Sequence, residues 1–237
     1  MLRLVAATGD IHSPRYLNLL SHALKSWSGG EPCMVLLAGD LVERGRAHAF
    51  SPAFRLLRER FDSSVFVGVF GNEDWEREEM ARLYREVVWL DDSVYTGDCG
   101  GSSVAVVGST GSLDRLTAWQ RRNMPWLADV FRRRPRVLEG LVREARREAD
   151  YVILLTHYGV ARATVEGEDP KIHPYLYSSS MERMLSRARP DAAVHAHAHN
   201  GRPYAIVHGV PVYNVSLPLV RRIVDVKLGR MRLDAFL

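Results

Sequence analysis

The chain has 237 residues, enough to bury a full core in one α/β domain spanning 1–237. Its 46% hydrophobic and 25% charged residues do not indicate disorder or membrane classes. The formal net charge is +4 and Lys stands only at 25, 171 and 227, so the basic side chains are almost all Arg, a balance suited to a phosphate-bearing ligand.

Leu2 to Ala7 is an apolar run of strand length that ends at Gly9-Asp10-Ile11-His12. With so little chain ahead of that string, no signal segment fits, and a cytoplasmic location is expected. Pro14 to Trp27 follows with apolar residues at helical spacing. Cys33 to Ala38 repeats the pattern into Gly39-Asp40 and a helical Ala47 to Arg60. Val65 to Phe70 repeats it into Gly71-Asn72-Glu73-Asp74 and Trp75 to Arg85. Three such units predict a parallel sheet with its functional loops at the carboxyl ends of the strands. Cys33 and Cys99 lack CxxC spacing and are expected as packed thiols rather than a disulfide or a zinc pair.

Val87 to Trp89, Ser93 to Tyr95 and Ser103 to Val107 read as short strands joined by turns. Leu116 to Phe131 and Arg136 to Ala149 are predicted as two helical pieces, with Pro125 and Pro135 as breaks. The arginines at 132, 133, 134, 136, 143, 146 and 147 either track a nucleic-acid backbone or form a solvated face paired with Glu139, Glu144 and Glu148; the alternation of sign favours the second. Tyr151 to Leu155 is a buried strand ending at Thr156-His157, Val160 to Ser180 a long surface loop, and Met181 to Ala188 a short helix. Asp191 to Val194 leads into His195-Ala196-His197-Ala198-His199-Asn200. Runs at Tyr204 to Val207, Pro211 to Val215, Arg221 to Val226 and Met231 to Ala235 predict antiparallel strands at the end of the chain.

Taken in order, Asp-x-His, Gly-Asp, Gly-Asn, His and His-x-His, each after an apolar strand, resemble the calcineurin-like metallophosphoesterase family over residues 9 to 200, continuing into Tyr213-Asn214-Val215-Ser216. The resemblance implies a four-layer αββα sandwich of two mixed β-sheets with helices outside. It also implies two divalent metal ions, with Asp10, His12 and His199 on one, Asn72, His157 and His197 on the other, and Asp40 bridging. A nitrogen and oxygen donor set without thiolate suits Mn, Fe, Zn or Ni, of which Mn is favoured. Gly9, Gly39 and Gly71 are expected where the backbone turns sharply. Ala196 stands where the family usually has Gly.

The departure that matters is Glu73, which occupies the position of the family's usual His after Gly-Asn. A carboxylate there would repel phosphate where an imidazolium would stabilise it or protonate the leaving oxygen. Asp40, Asn72 and Glu73 are the residues expected nearest the reacting ester. The implied mechanism is in-line attack on phosphorus by a hydroxide bridging the two ions, with the missing His favouring phosphodiesters over monoesters. A nuclease or nucleotide hydrolase with the same site, and a non-catalytic scaffold of the same fold, are the alternatives. The expected partner is a small phosphate ester or nucleotide, not a membrane. His195 is expected to face away from the ligands, His173 to lie where it can meet substrate, and Glu43 and Arg44 either to support the site or to face solvent. No residue pattern specifies an oligomeric state.

Overall fold

The computed structural model describes residues 5–228. The expected strand at Met231 to Ala235 lies outside them. Five strands form the first sheet: β1 (Val5–Thr8), β2 (Met34–Ala38), β3 (Val65–Val69), β4 (Val87–Leu90) and β11 (Val224–Val226). Their order is β11-β1-β2-β3-β4, parallel except for β11. The second sheet holds β5 (Ser93–Asp98), β6 (Ser103–Ser109), β7 (Tyr151–Thr156), β8 (Ala192–His195), β9 (Tyr204–Val207) and β10 (Val210–Asn214), in the order β5-β6-β7-β8-β10-β9. In it β6, β7, β8 and β10 run parallel and the two edge strands antiparallel. The all-antiparallel expectation for the tail is therefore corrected. Only β9 with β10 follows it within the tail; β10 adds parallel to β8, and β11 crosses to the first sheet.

Alternation along the strands sorts side chains into layers. Ala6, Val35, Leu37 and Phe66 face α1 (Leu17–Lys25), α2 (Ser51–Arg60) and α3 (Arg77–Leu83), meeting Leu20, Phe54 and Met80. Their strand neighbours Ala7, Leu36 and Val67 face inward and meet Val104, Ile153 and Val194 of the second sheet. On its outer side that sheet presents Val107, Leu154 and Ala193 to α5 (Leu127–Glu148) and α7 (Ser179–Ala188). The result is the expected αββα sandwich, with two mixed sheets face to face. No helix among the described residues is long and apolar enough to cross a membrane.

Pro135 does not break α5. Proline cannot donate an N–H to the carbonyl four residues back, which here is Phe131, and an unsatisfied carbonyl normally kinks or ends a helix. Ser112 supplies the missing donor, its hydroxyl lying 2.8 Å from the Phe131 oxygen. The adjacent Arg134 is buried and reaches Asp92 (Nε, 3.0 Å) and the Gly111 carbonyl (Nη1, 2.9 Å), pinning the same turn. Only Pro125 separates helices, lying between α4 (Ala118–Asn123) and α5. Ser112→Ala should strand that carbonyl and cost about 1–2 kcal/mol in a urea melt.

Other arginines of this run pair with acids: Arg132 with Asp129, Arg143 with Glu139 and Arg146 with Asp191. Glu139 also receives Arg187 from α7. Among the described residues Glu144 and Glu148, expected as partners, form no ion pair, so Asp129, Glu139 and Asp191 carry the pairing on this face.

The cysteines overturn their expectation. Cys33, just before β2, and Cys99, just after β5, form a disulfide with Cα atoms 5.3 Å apart, so the bond ties one sheet to the other. The sequence hid this pairing because proximity across the sandwich depends on the sheet packing, not on spacing. With a sequence separation of 66, loop closure gives about 4 kcal/mol of stabilisation. A Cys33→Ala, Cys99→Ala double variant should lose a comparable amount in chemical denaturation.

The stretch expected as a surface loop at Val160 to Ser180 is better ordered than that. It holds α6 (Arg162–Val165) and a 3-10 turn at His173–Tyr175, and Val165, His173, Leu176 and Ser178 are buried. Its apolar residues pack as a small cluster with Ala198, too irregularly spaced to show a period.

Candidate metal centre

Every ligand candidate sits where a parallel strand ends. Asp10 and His12 follow β1, Asp40 follows β2, Asn72 follows β3, His157 follows β7, and His197 and His199 follow β8. Main-chain hydrogen bonds hold these ends together: Asp10 N–H donates to Gly39 O and His12 N–H to Asp40 O, both at 2.9 Å. Asp10, His12, Asp40 and His197 all have positive φ, from 42° to 70°, a region costly for a residue with a side chain. Four such residues in one place show backbone strain stored at a site.

The glycines serve in two ways. Gly39 has φ +80° and needs its freedom. Gly9 and Gly71 correct the sharp-turn expectation, because what they need is space. A Cβ on Gly71 would lie 2.1 Å from Asp40 Oδ1, and one on Gly9 would lie 2.7 Å from the Ala196 methyl. The Ala196 departure is thus accommodated by the absence of a side chain on Gly9.

Two groups of side chains converge: Asp10 with His12 and His199, and Asp40 with His157 and His197. Within each, one ligand atom per residue lies within 4.8 Å of the others. Asp40 Oδ2 stands between the groups, 3.8 Å from His12 Nε2 and 3.6 Å from His157 Nε2. Its Oδ1 is held by the Glu73 N–H at 2.7 Å. Asn72 joins the second group, its Oδ1 lying 3.0 Å from His157 Nε2.

The donor set fits divalent cations on observations of the chain itself. Asp10 Oδ1 and His12 Nε2 are buried without a hydrogen-bond partner. His157 Nδ1 lies 3.0 Å from the Ala38 carbonyl, which can only accept, so Nδ1 carries the proton. Its Nε2 then turns a lone pair toward two further acceptors, Asn72 Oδ1 and Asp40 Oδ2. His197 Nε2 faces the Tyr175 carbonyl at 3.2 Å, which leaves Nδ1 for the centre. Lone pairs converging without protons between them call for cations.

Electrostatics point the same way. Burial and the charges of Asp74 and Asp10 push the Asp40 carboxyl well above the usual range. Burial opposes ionisation of Asp10 too, but the His199 hydrogen bond (3.2 Å) and the nearby imidazoles hold it low. Burial, followed by the neighbouring His197, drives His157 well below the ordinary histidine value, and burial lowers His12 and His197 also. His199 goes up, because its Asp10 contacts outweigh burial.

Asp74 is the functional residue the sequence reading quoted without assigning. Its carboxylate accepts the N–H groups of Gly71 (2.7 Å), Leu41 (2.9 Å) and Val42 (3.2 Å), so it ties the Asn72 loop to the Asp40 loop. The signal was present as an acid two residues after a ligand, but Leu41 and Val42 lie 33 and 32 positions away. Burial raises Asp74 to about 6 against those stabilising bonds. With the folded value above the unfolded one, the folded state binds the extra proton between about pH 4 and 6, so this group's contribution makes metal-free protein less stable as pH rises through that window. Mn must also displace the proton from the raised Asp40 carboxyl, so added Mn should raise Tm more at pH 7.5 than at pH 5; equal shifts would refute this.

Glu73 lines the cavity between these two loops. Its Oε2 accepts the Arg44 N–H at 2.9 Å and its main-chain oxygen the Gly45 N–H at 2.8 Å, which zips the Asn72 loop to the Asp40 loop a second time. Arg44 thereby holds φ +54° with its guanidinium exposed at the mouth of the cavity, so it belongs to the site's support. That cavity measures about 290 Å³ and is lined by polar residues, including Arg15, Arg44, Asn72 and Glu73.

The other histidines lie elsewhere. His195 is buried, bonded to Thr164 Oγ1 (2.7 Å) and the Ala196 carbonyl (2.7 Å), with burial lowering it to about 4. His173 is buried with Nε2 on the Glu168 carbonyl, which corrects its expected meeting with substrate. Asn214 bolts the histidine string from behind, donating to the Ala198 carbonyl at 2.8 Å.

The family model for calcineurin-like phosphoesterases matches residues 4–201. The chain belongs to this family. No curated protein sequence matches it. Among solved structures it is similar to the phosphopantetheinyl hydrolase of Mycobacterium tuberculosis, with TM-score 0.67 and 15% identity over 95% of this chain and 96% of that one. A putative 5′-nucleotidase from Staphylococcus aureus in complex with alpha-ketoglutarate gives 0.58 and 15% over 89% of this chain, which spans about half (48%) of that one. The anchor in the inner membrane complex of Plasmodium gives 0.59 and 12%, covering 91% and 72%. At these identities the likeness is one of fold.

Proposed function

We propose that this calcineurin-like phosphoesterase, acting as a single domain over 1–237, hydrolyses small phosphodiesters at a centre of two divalent ions, Mn being the favoured metal. The carrying observation is Asp40, whose free oxygen stands between the Asp10–His12–His199 and Asp40–His157–His197 groups. When bound, two such ions supply charge neutralisation at phosphoryl oxygens and lower the pKa of water.

The protein's part is placement. Asp10, His12 and His199 would hold one ion, Asn72, His157 and His197 the other, with Asp40 shared. Asp74 and Glu73 fix the spacing of the two loops that carry Asp40 and Asn72. Arg15 and Arg44 offer positive charge at the mouth of the cavity, where an anionic ester enters. Preference for diesters rests on Glu73, since the position brings no imidazole to protonate a poor leaving oxygen and its carboxylate is engaged by Arg44. A cytoplasmic location belongs to this reading and, with the Cys33–Cys99 bond, implies a cell interior that keeps disulfides, as in hyperthermophiles.

The test is a panel of mono- and diesters, cyclic nucleotides and single-stranded DNA assayed with Mn. Faster turnover of small diesters supports the reading, preference for monoesters or for DNA contradicts the diester assignment, and inactivity on every ester contradicts the enzyme assignment.

A further inference from the structure

No apolar residue lines the cavity that would take the phosphate. Beside it, Trp75 is 63% exposed, an unusual cost for an indole. It is nonetheless fixed. Its Nε1–H donates to the main-chain oxygen of Asn72 at 2.7 Å, and its main-chain N–H bonds the Glu73 oxygen at 3.1 Å. One side of the ring system rests on Gly45, where an added Cβ would lie 2.9 Å from Trp75 Cβ and 3.0 Å from its Cε3. Gly45 lies next to Arg44, whose guanidinium has no hydrogen bond or ion pair among the described residues. The zipper between residues 43–47 and 72–76 thus fixes the indole to the loop that carries Asn72, where it lines a neighbouring cavity with His48, Glu76 and Arg82, while Arg44 on the facing loop lines the cavity of the centre itself.

We infer that Trp75 is a stacking platform that selects phosphate esters carrying a planar heteroaromatic group, such as a nucleobase, whose phosphate occupies the cavity. Trp75 is a positioning and specificity residue in this account. Resting on the proposed function for the phosphate's place, the inference adds what recognises the remainder of the molecule. A pre-oriented indole is suited to this because stacking on it loses little side-chain freedom and every base has a π-face. Its orientation comes from main-chain atoms of the metal loop, so the platform and the phosphate site keep a fixed relation.

The experiment compares adenosine 5′-phosphate with ribose 5-phosphate, and the methyl diesters of both, on Mn-loaded protein. These pairs differ only in the base. Affinity is measured by titration calorimetry and turnover separately by product release. Native protein should bind the base-bearing member about tenfold more tightly, a factor within the range of one base stacked on an aromatic ring. Trp75→Leu and Trp75→Phe both lose the Nε1–H bond to the Asn72 oxygen and so share any loss of affinity for the base-free member; Trp75→Leu should abolish the preference for the base, and Trp75→Phe should keep part of it. Equal affinity for both members in native protein, absence of binding, or full preference in Trp75→Leu would overturn the platform. Failure of turnover with the affinity pattern intact would overturn the hydrolytic reading and leave the platform standing.

Discussion

Asp40→Asn is expected to lower kcat by about a thousandfold or more on any ester the enzyme turns over. The side chain keeps its shape, so what changes is its charge and which atom points where. Oδ1 accepts the Glu73 N–H at 2.7 Å, and an amide oxygen can do the same. The amide nitrogen then faces the two imidazole nitrogens now 3.6 and 3.8 Å from Oδ2, where it offers protons instead of a lone pair to a bridging position. Losing several kcal/mol of charge stabilisation at phosphorus corresponds to that factor. Stability should move oppositely. Asp40 is buried beside Asp10 and Asp74, which push its carboxyl well up, so metal-free Asp40→Asn should be at least as stable as the native protein near pH 7. An inactive variant with a raised metal-free Tm is the combined signature, read by steady-state assay and calorimetry.

Glu73→His should raise turnover of esters with poor leaving groups, by about a hundredfold if the imidazole reaches the leaving oxygen, a typical gain for a placed general acid. Diesters with good leaving groups should change little. Glu73→Gln should leave both classes near native rates, because the amide oxygen still accepts the Arg44 N–H. If the native carboxyl were itself the proton donor, Glu73→Gln would lose activity selectively on poor leaving groups. A His variant that gains nothing would remove the account of this position. The substitution also strands the Arg44 N–H, so a cost of about 1 kcal/mol in stability should accompany any gain.

The strand–loop–helix units and the ligand strings were legible because both are local, whereas the four layers came only with the family resemblance. Alternation in Val5–Thr8, Met34–Ala38 and Tyr151–Thr156 assigns each side chain to one core or another, and each string follows its strand directly. What stayed hidden depends on partners distant in sequence. Pro135 reads as a break unless Ser112, over twenty residues earlier, is known to reach the Phe131 carbonyl. Cys33 and Cys99 meet only once the two sheets are stacked. Asp74 carries no assignment until Leu41, Val42 and Gly71 turn their N–H groups to it. Gly9 and Gly71 look like turn residues, whereas the crowding of Ala196 and Asp40 explains them. The identity of Glu73 was plain from the start; its engagement with Arg44 required the loops to be side by side.

If Asp40 joins two ions into one hydrolytic centre, metal-stripped protein titrated with Mn should bind two equivalents per chain, with hydrolysis of bis-p-nitrophenyl phosphate rising as the second fills. Saturation of activity at one equivalent, or hydrolysis independent of Mn, would contradict it.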